Sequence, residues 1–544
     1  MQRKIGGNRR PGFSSPAPLL LSSFILAPLY SALAHSPAEH CATINQLRLT
    51  GVSTIDAQLV EAGNFKFSDG STAPVSNAFC RVRATAMPSK DSDIKFEVWL
   101  PAADWNGRLL GVGNGWFAGS ISDKGLAKRV AAGYAVVATD TGHHTPQIDT
   151  SWALGHPEKV IDFGHRAIHL VSVHAKHMIA AYYGRGPDHS YFTSCSNGGR
   201  QALMEAQRYP EDYDGIMAGA PAADWTHIYV GAAMVNIQWL AAGLGFLPAK
   251  KLPAIHAAVL AACDSLDGVK DGVIDDPRRC HFQPSVLTCQ GPEADSCLTT
   301  EQVSTLDKLY QGPALSSGKQ LLPGYSPGTE LGWSDALLGD GPGTTETYQA
   351  VVDFFRNMVF ENAQWDARSF DAERAGKLAD RKWASTLNAT NPDLSQFIAR
   401  GGKLILYHGW SDPLVPAMGT IDYYQRVVNT VGKTKAGSSV RLFMAPGMDH
   451  CGGGPGPNDF GQFDAGNGDP ESNLAAALQR WVEDAVAPEQ VIATKRKDGD
   501  DPPGTVVQRT RPLCAYPLTA RYRGEGDTDR AASFTCAMAT MTTR

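Results

Sequence analysis

The sequence has little net charge and no basic field. Its 544 residues carry 49 Lys and Arg against 55 Asp and Glu, a formal net charge of −6. Without a cluster of cations to neutralise phosphates, neither nucleic acid nor an anionic membrane surface is an expected partner. No C-x-x-C pair occurs, which argues against zinc knuckles and thioredoxin-like redox sites. No H-E-x-x-H occurs either, so His165 and His169 read as helix-face residues. No internal repeat or long low-complexity tract is present. Gly and Pro are plentiful but dispersed, as in a loop-rich enzyme. Long apolar runs are also missing. The one apolar stretch of note, Pro18 to Leu29, is too short and broken to span a bilayer. Lys4, Arg9 and Arg10 precede it, and Ala32-Leu33-Ala34 follows as a small-x-small cleavage site. Residues 1–34 therefore read as an export signal, with a mature chain beginning near His35 in the periplasm or outside the cell, free of the membrane.

What is present fits an exported enzyme. Ten cysteines follow the signal, an even number. Sequence alone does not fix their connectivity. Neighbours suggest Cys41 with Cys80, Cys263 with Cys280, Cys289 with Cys297 and Cys514 with Cys536. That leaves Cys195 and Cys451.

Between about 80 and 220 strands and helices alternate. Strands are expected at 96–100, 108–112, 134–139, 191–193 and 215–219, with helices at about 164–183 and 198–208. This is βαβ order, hence an α/β fold with a parallel sheet covered by helices. The pattern breaks at about 222 and resumes near 401, with strands at 403–407 and 440–444 and helices at about 417–431 and 473–486. The chain therefore divides into a first core part (35–221), an irregular insertion (222–400), and a second core part with a C-terminal segment (401–544).

Ser196 lies between a predicted strand and a helix, in Thr193-Ser194-Cys195-Ser196-Asn197-Gly198-Gly199-Arg200. This is the context of a nucleophile elbow, although Ser194 stands where G-x-S-x-G has its first Gly. Asp412 follows strand 403–407, and His450 follows strand 440–444. Three such residues in the order Ser, Asp, His match a hydrolase triad, with Asp449 as a rival acid. In that chemistry Ser196 attacks an ester carbonyl, His450 shuttles the proton and Asp412 holds the imidazole. The N–H of Asn197 would face the oxyanion. A second donor is expected from Gly113-Asn114-Gly115-Trp116-Phe117, with Gly115 the candidate. His143-His144 is a weaker site candidate.

The insertion carries an acidic loop from Cys263 to Asp275. Asp264, Asp267 and Asp271, with the carbonyls of Val269 and Val273, offer hard oxygens suited to a structural calcium ion, though the EF-hand's terminal Glu is missing. A solvated acidic turn is the alternative, and a calcium-dependent glycan-binding module is a rival for the insertion alone.

Cys195-Ser196 and His450-Cys451, with Asp412 between them, resemble the tannase and feruloyl esterase family. Ser196 to Leu203, Gly219-Ala220-Pro221-Ala222, Cys263-Asp264 through Asp271-Gly272, and Phe355-Arg356 to Trp365-Asp366 extend the likeness from about Cys41 to Cys536. The resemblance implies an α/β-hydrolase core, a lid insertion with structural calcium, and a disulfide bridging the triad. It implies a carboxylic ester hydrolase acting on small aromatic esters, without an organic cofactor. Feruloyl-type esters come first, galloyl esters second and terephthalate mono-esters third, since mono-hydroxyethyl-terephthalate hydrolases share these marks. In such a family the lid shapes the acyl pocket, so Trp225, Trp333 and Phe355 are its candidates. A serine peptidase or a non-catalytic binding protein on the same fold are the other readings. The oligomeric state is not legible.

Overall fold

β-Branched and aromatic residues build strands that are buried on both faces. The structure, a computed structural model, describes residues 36–240, 245–497 and 506–538. The export signal expected at 1–34 lies outside them. Nine strands form the main sheet: β1 (Val52–Val60), β2 (Phe79–Ala86), β3 (Ile94–Pro101), β4 (Arg108–Val112), β5 (Ala135–Thr139), β6 (His189–Cys195), β7 (Gly215–Gly219), β8 (Lys403–Gly409) and β9 (Val440–Ala445). Their spatial order is β1-β2-β3-β5-β4-β6-β7-β8-β9. The first three pairings of that order, β1 with β2, β2 with β3 and β3 with β5, are antiparallel. Every other pair is parallel. All five residues of β5 and of β7 are buried, as central parallel strands covered on both faces must be.

Helices α1 (Ala167–Tyr183) and α2 (Asn197–Arg208) cover the sheet, and α2 leaves the end of β6 after a single residue, Ser196. On the second half of the sheet, α5 (Met418–Val431) follows β8 and α6 (Leu474–Asp484) follows β9. The main sheet also includes β1 and β2, which the sequence pattern did not single out. β1 lies at the sheet's edge, and most of its residues are exposed or half-buried, so its apolar alternation is weak.

The insertion differs from expectation. Its scattered Trp, Gly and Pro read as irregular chain, yet much of it is helical. It contains α3 (Trp225–Ala233), α4 (Leu252–Cys263) and further helices at Thr300–Gln311, Glu346–Asp353 and Ala372–Ala379. A legible signal was present at one of them. Thr299 and Gln302 form a reciprocal capping box at the start of Thr300–Gln311. The insertion is packed onto the core rather than hung from it. Phe117, Trp152 and Phe163 of the core share one buried cluster with Trp225, Tyr229, Phe354 and Phe355 of the insertion. The C-terminal segment forms two antiparallel ribbons, Gln490–Arg496 with Val507–Cys514 and Leu518–Tyr522 with Phe534–Met538.

Five disulfides tie the described residues: Cys41–Cys80, Cys195–Cys451, Cys263–Cys280, Cys289–Cys297 and Cys514–Cys536. No helix among the described residues is long and apolar enough to cross a membrane.

Candidate active site

The turn after β6 is strained at one residue. Ser196 has φ 67° and ψ −125°, a conformation that L residues seldom adopt. Its N–H donates to the Gly219 carbonyl at 2.9 Å, and its own carbonyl accepts from Arg200 at 3.0 Å and Ala222 at 3.2 Å. These bonds hold the turn between β7 and α2. The two glycines that follow are required by close packing. A Cβ on Gly199 would lie 2.3 Å from the Gly219 carbonyl oxygen, and one on Gly198 only 1.9 Å from Ser194 Oγ. The latter contact accounts for the departure from G-x-S-x-G. Ser194 fits in place of the motif's first Gly because Gly198 leaves room for its side chain.

Asp412 and His450 are brought together across 38 residues. His450 Nδ1 lies 2.7 Å from Asp412 Oδ2. Asp412 is buried, and its Oδ1 accepts the N–H groups of Leu414 at 2.8 Å and Val415 at 2.9 Å. Burial alone would push this carboxyl up. The charge of His450 and hydrogen bonds from His408 and His450 outweigh burial and hold it well below the usual carboxylate range. Asp449 does not compete for the ring. Burial, and then the charge of Asp412, push Asp449 up to about 6.

Ser196, Asn197 and His450 open on one pocket with apolar walls, among them Trp116, Trp225, Tyr229, Leu414 and Val415. The disulfide Cys195–Cys451 joins the neighbours of Ser196 and His450, with Cα atoms 6.0 Å apart. Trp225 thus lines the pocket. Trp333 and Phe355 do not. Trp333 is buried against Tyr310 and Tyr325 in a separate core of the insertion, and Phe355 packs on Phe354 and Phe370. Both are large and apolar, and a sequence cannot separate pocket wall from core among such residues.

The loop after β4 reaches the pocket through Trp116 rather than Gly115. The Asn114 N–H is already donated to Gln201 Oε1 at 2.9 Å. Among the described residues, the N–H groups of Gly115 and Trp116 donate no hydrogen bond within the protein. His143 is buried on Trp152, with ring centroids 3.9 Å apart, and burial lowers it to about 3. His165 bonds the Tyr209 hydroxyl and His169 bonds Asp212, so neither faces the pocket.

Two supporting residues escaped the sequence reading. His408, fully buried on β8, places Nε2 3.0 Å from both Asp412 Oδ2 and the Val415 carbonyl. Both partners are acceptors, so Nε2 carries the hydrogen. Its Nδ1 lies 2.7 Å from Thr420 Oγ1. His408 therefore fixes the same Asp412 oxygen, Oδ2, that His450 meets. The i, i+4 spacing of His408 and Asp412 was the available signal. Arg200, also fully buried, donates to Asn197 Oδ1 at 2.8 Å and to the Gly164, Phe163 and Leu387 carbonyls. It anchors the first turn of α2, where the oxyanion donor would be.

In the insertion, Asp264 accepts the N–H groups of Asp271 and Gly272 at 3.1 Å, and Asp267 accepts that of Val269 at 2.9 Å. Asp271 accepts the Val273 N–H at 3.1 Å and pairs with Arg509 and Arg511. Gly268 and Gly272 take positive φ and close the loop. The donors are all hard oxygens, which suits calcium. Among the described residues, no three His, Cys, Asp or Glu side chains already converge as a cage.

A strained serine at a strand-to-helix turn, a His–Asp pair at the ends of later strands and an apolar pocket between them define a hydrolase of the α/β type. Comparison with known proteins agrees. The family model "Tannase and feruloyl esterase" matches residues 80–537. The chain is 40% identical over 532 residues to an uncharacterized esterase of Xanthomonas campestris, covering 92% of each. It is 33% identical over 465 residues to a protein named probable feruloyl esterase B from Aspergillus clavatus, covering 84% of this chain and 86% of that one. The crystal structure of feruloyl esterase B from Aspergillus oryzae superposes with a TM-score of 0.84 at 30% identity, over 92% of this chain and 100% of that one. The chain belongs to the tannase and feruloyl esterase family and is a carboxylic ester hydrolase with an α/β-hydrolase core.

Proposed function

We propose that the protein is an exported serine esterase that cleaves esters of phenolic aromatic acids, hydroxycinnamates such as ferulate first. The observation that carries this reading is the pocket itself. Ser196 and His450 open on walls made by Trp116, Trp225 and Tyr229, a setting suited to a planar aromatic acyl group. Ser196 Oγ attacks the ester carbonyl while His450 takes its proton. The tetrahedral oxyanion is met by the Asn197 N–H and by an N–H of the Gly115–Trp116 turn. His450 then returns the proton to the departing alcohol, and water repeats the sequence on the acyl-enzyme. Asp412, held anionic by His408, keeps the imidazole in its tautomer throughout. Five disulfides support an oxidising compartment.

The test is the initial rate on methyl ferulate, methyl gallate, mono-hydroxyethyl terephthalate and a peptide amide. Fastest turnover of methyl ferulate is the expected result. Cleavage of the amide alone would replace this reading with a peptidase.

His408→Asn is expected to lower kcat by about tenfold to a hundredfold with KM unchanged, because His408 meets Asp412 and not the substrate. A variant whose KM rises while kcat holds would remove His408 from the positioning role.

The acidic loop would take a structural calcium ion through Asp264, Asp267, Asp271 and the carbonyls of Val269 and Val273. The bound ion would cross-link the loop beside Cys263–Cys280 and supply no step of acyl transfer. Chelation is expected to destabilise the fold by about 3 kcal/mol, the linkage expected near a hundredfold excess over Kd. Thermal melts in calcium and in chelator check this, and identical melting curves would refute the site.

A further inference from the structure

Arg200 stands in the first turns of α2, and its side chain runs back toward the helix N-terminus, as helical side chains do. The guanidinium is fully buried. Its acceptors are Asn197 Oδ1 and the carbonyls of Gly164, Phe163 and Leu387, all of them uncharged oxygens. It packs on two aromatic rings, with Cζ 4.9 Å from the Phe163 centroid and 5.0 Å from that of Trp225. Trp225 and Asn197 both line the catalytic pocket, so one layer of side chains separates this cation from the reacting groups.

The placement is unfavourable in the resting enzyme. A buried charge ordinarily takes a counter-ion. The titratable groups that face Arg200 are Tyr229 of α3, His165 and Arg208, and none is a carboxylate. Burial raises the Tyr229 phenol and lowers the His165 imidazole to about 4, so both are neutral at physiological pH. Burial also lowers the guanidinium, but arginine starts so high that it stays a cation. The N-terminus of α2 is moreover the positive end of the helix dipole, the wrong end for a cation. A negative charge that appears nearby during the reaction relieves all of this at once. Acyl transfer creates one, because the ester carbonyl becomes an oxyanion at the Asn197 N–H, on the first turn of the same helix. In a buried, low-dielectric setting the field of Arg200 reaches it with little screening.

We propose that Arg200 is an electrostatic positioning residue: its unneutralised guanidinium, acting through Asn197 and the first turn of α2, stabilises the oxyanion of the tetrahedral intermediate. The inference rests on the serine-esterase reading above. Its test compares Arg200→Lys, which keeps the charge, with Arg200→Gln, which keeps a donor without the charge, on methyl ferulate. At about pH 6, Arg200→Gln is expected to lower kcat about a hundredfold and Arg200→Lys at least about tenfold less, with KM within about threefold of wild type in both. A buried lysine gives up its proton more readily than one in water, and losing it removes the charge. The Arg200→Lys rate, taken relative to wild type, is therefore expected to fall between about pH 6 and pH 9 toward that of Arg200→Gln. A residue that merely props the turn would give no such alkaline limb, and equal kcat in the two variants across that range would overturn the proposal. If melting shows that neither variant folds, Asn197→Asp decides, since it keeps an oxygen for Arg200 Nε while neutralising the cation. A fall of about tenfold or more in kcat with the fold retained is expected, and a smaller fall would overturn the proposal. Turnover that survives in Ser196→Ala would instead fault the serine mechanism, and the inference with it.

Discussion

Ser196→Ala is expected to lower kcat/KM on methyl ferulate by about 10⁴- to 10⁶-fold, leaving only the rate that binding and the oxyanion donors sustain. The substitution removes one oxygen. The turn that carries it is held by backbone bonds to Gly219, Arg200 and Ala222, so the alanine variant keeps its fold. Asp412→Asn sharpens the assignment. Asp412 Oδ1 accepts two N–H groups, from Leu414 and Val415. An asparagine must therefore keep its oxygen there and turn its NH₂ toward His450 and His408. Facing a donor, His450 Nδ1 would give up its proton and move it to Nε2, where it can no longer deprotonate Ser196. A loss of about 10⁴-fold in kcat follows. Both variants are checked by steady-state rates with the melting temperature as fold control. Survival of even about one per cent of the rate in Ser196→Ala would place the nucleophile elsewhere.

Replacing Cys195 and Cys451 together by Ala is expected to cut kcat by about a hundredfold at a temperature where the variant is fully folded. The bridge joins residues 256 apart, one beside Ser196 and one beside His450. Both flanking backbones are strained: Ser196 has φ 67° and Cys451 φ 68°. Such conformations persist only where the surroundings enforce them. Without the bridge, the two loops are free to relax apart, and an ångström of drift between Oγ and imidazole suffices for the loss. In the chain-entropy account, opening so long a loop also lowers stability by about 5 kcal/mol. Activity and melting are therefore measured on the same sample. Full turnover in the folded double variant would show that the bridge stabilises the chain without organising the triad.

The glycines and small residues around Ser196 were legible because each answers a local demand of one turn. The strands 108–112 and 215–219 were legible for a related reason: short buried runs bounded by turn residues have few other uses. The insertion was misread because its helices are short and interrupted, so no apolar period persists long enough to be seen. Trp333 and Phe355 were misplaced because a buried aromatic serves core and pocket alike.

By itself, the sequence placed the parallel strands of the core and singled out Ser196, Asp412 and His450 as the candidate triad, two of them beside a cysteine. These follow from spacing and residue chemistry along the chain. Only the tertiary structure decided that His408 meets Asp412, that Arg200 locks Asn197, and that Trp116 and Trp225 wall the pocket while Trp333 does not. Trp116, Trp225 and His450 reach one pocket from segments far apart in the chain, and no local pattern encodes such a meeting. His408 and Arg200 are close in sequence to Asp412 and Asn197, but only the packed structure buries them against those partners.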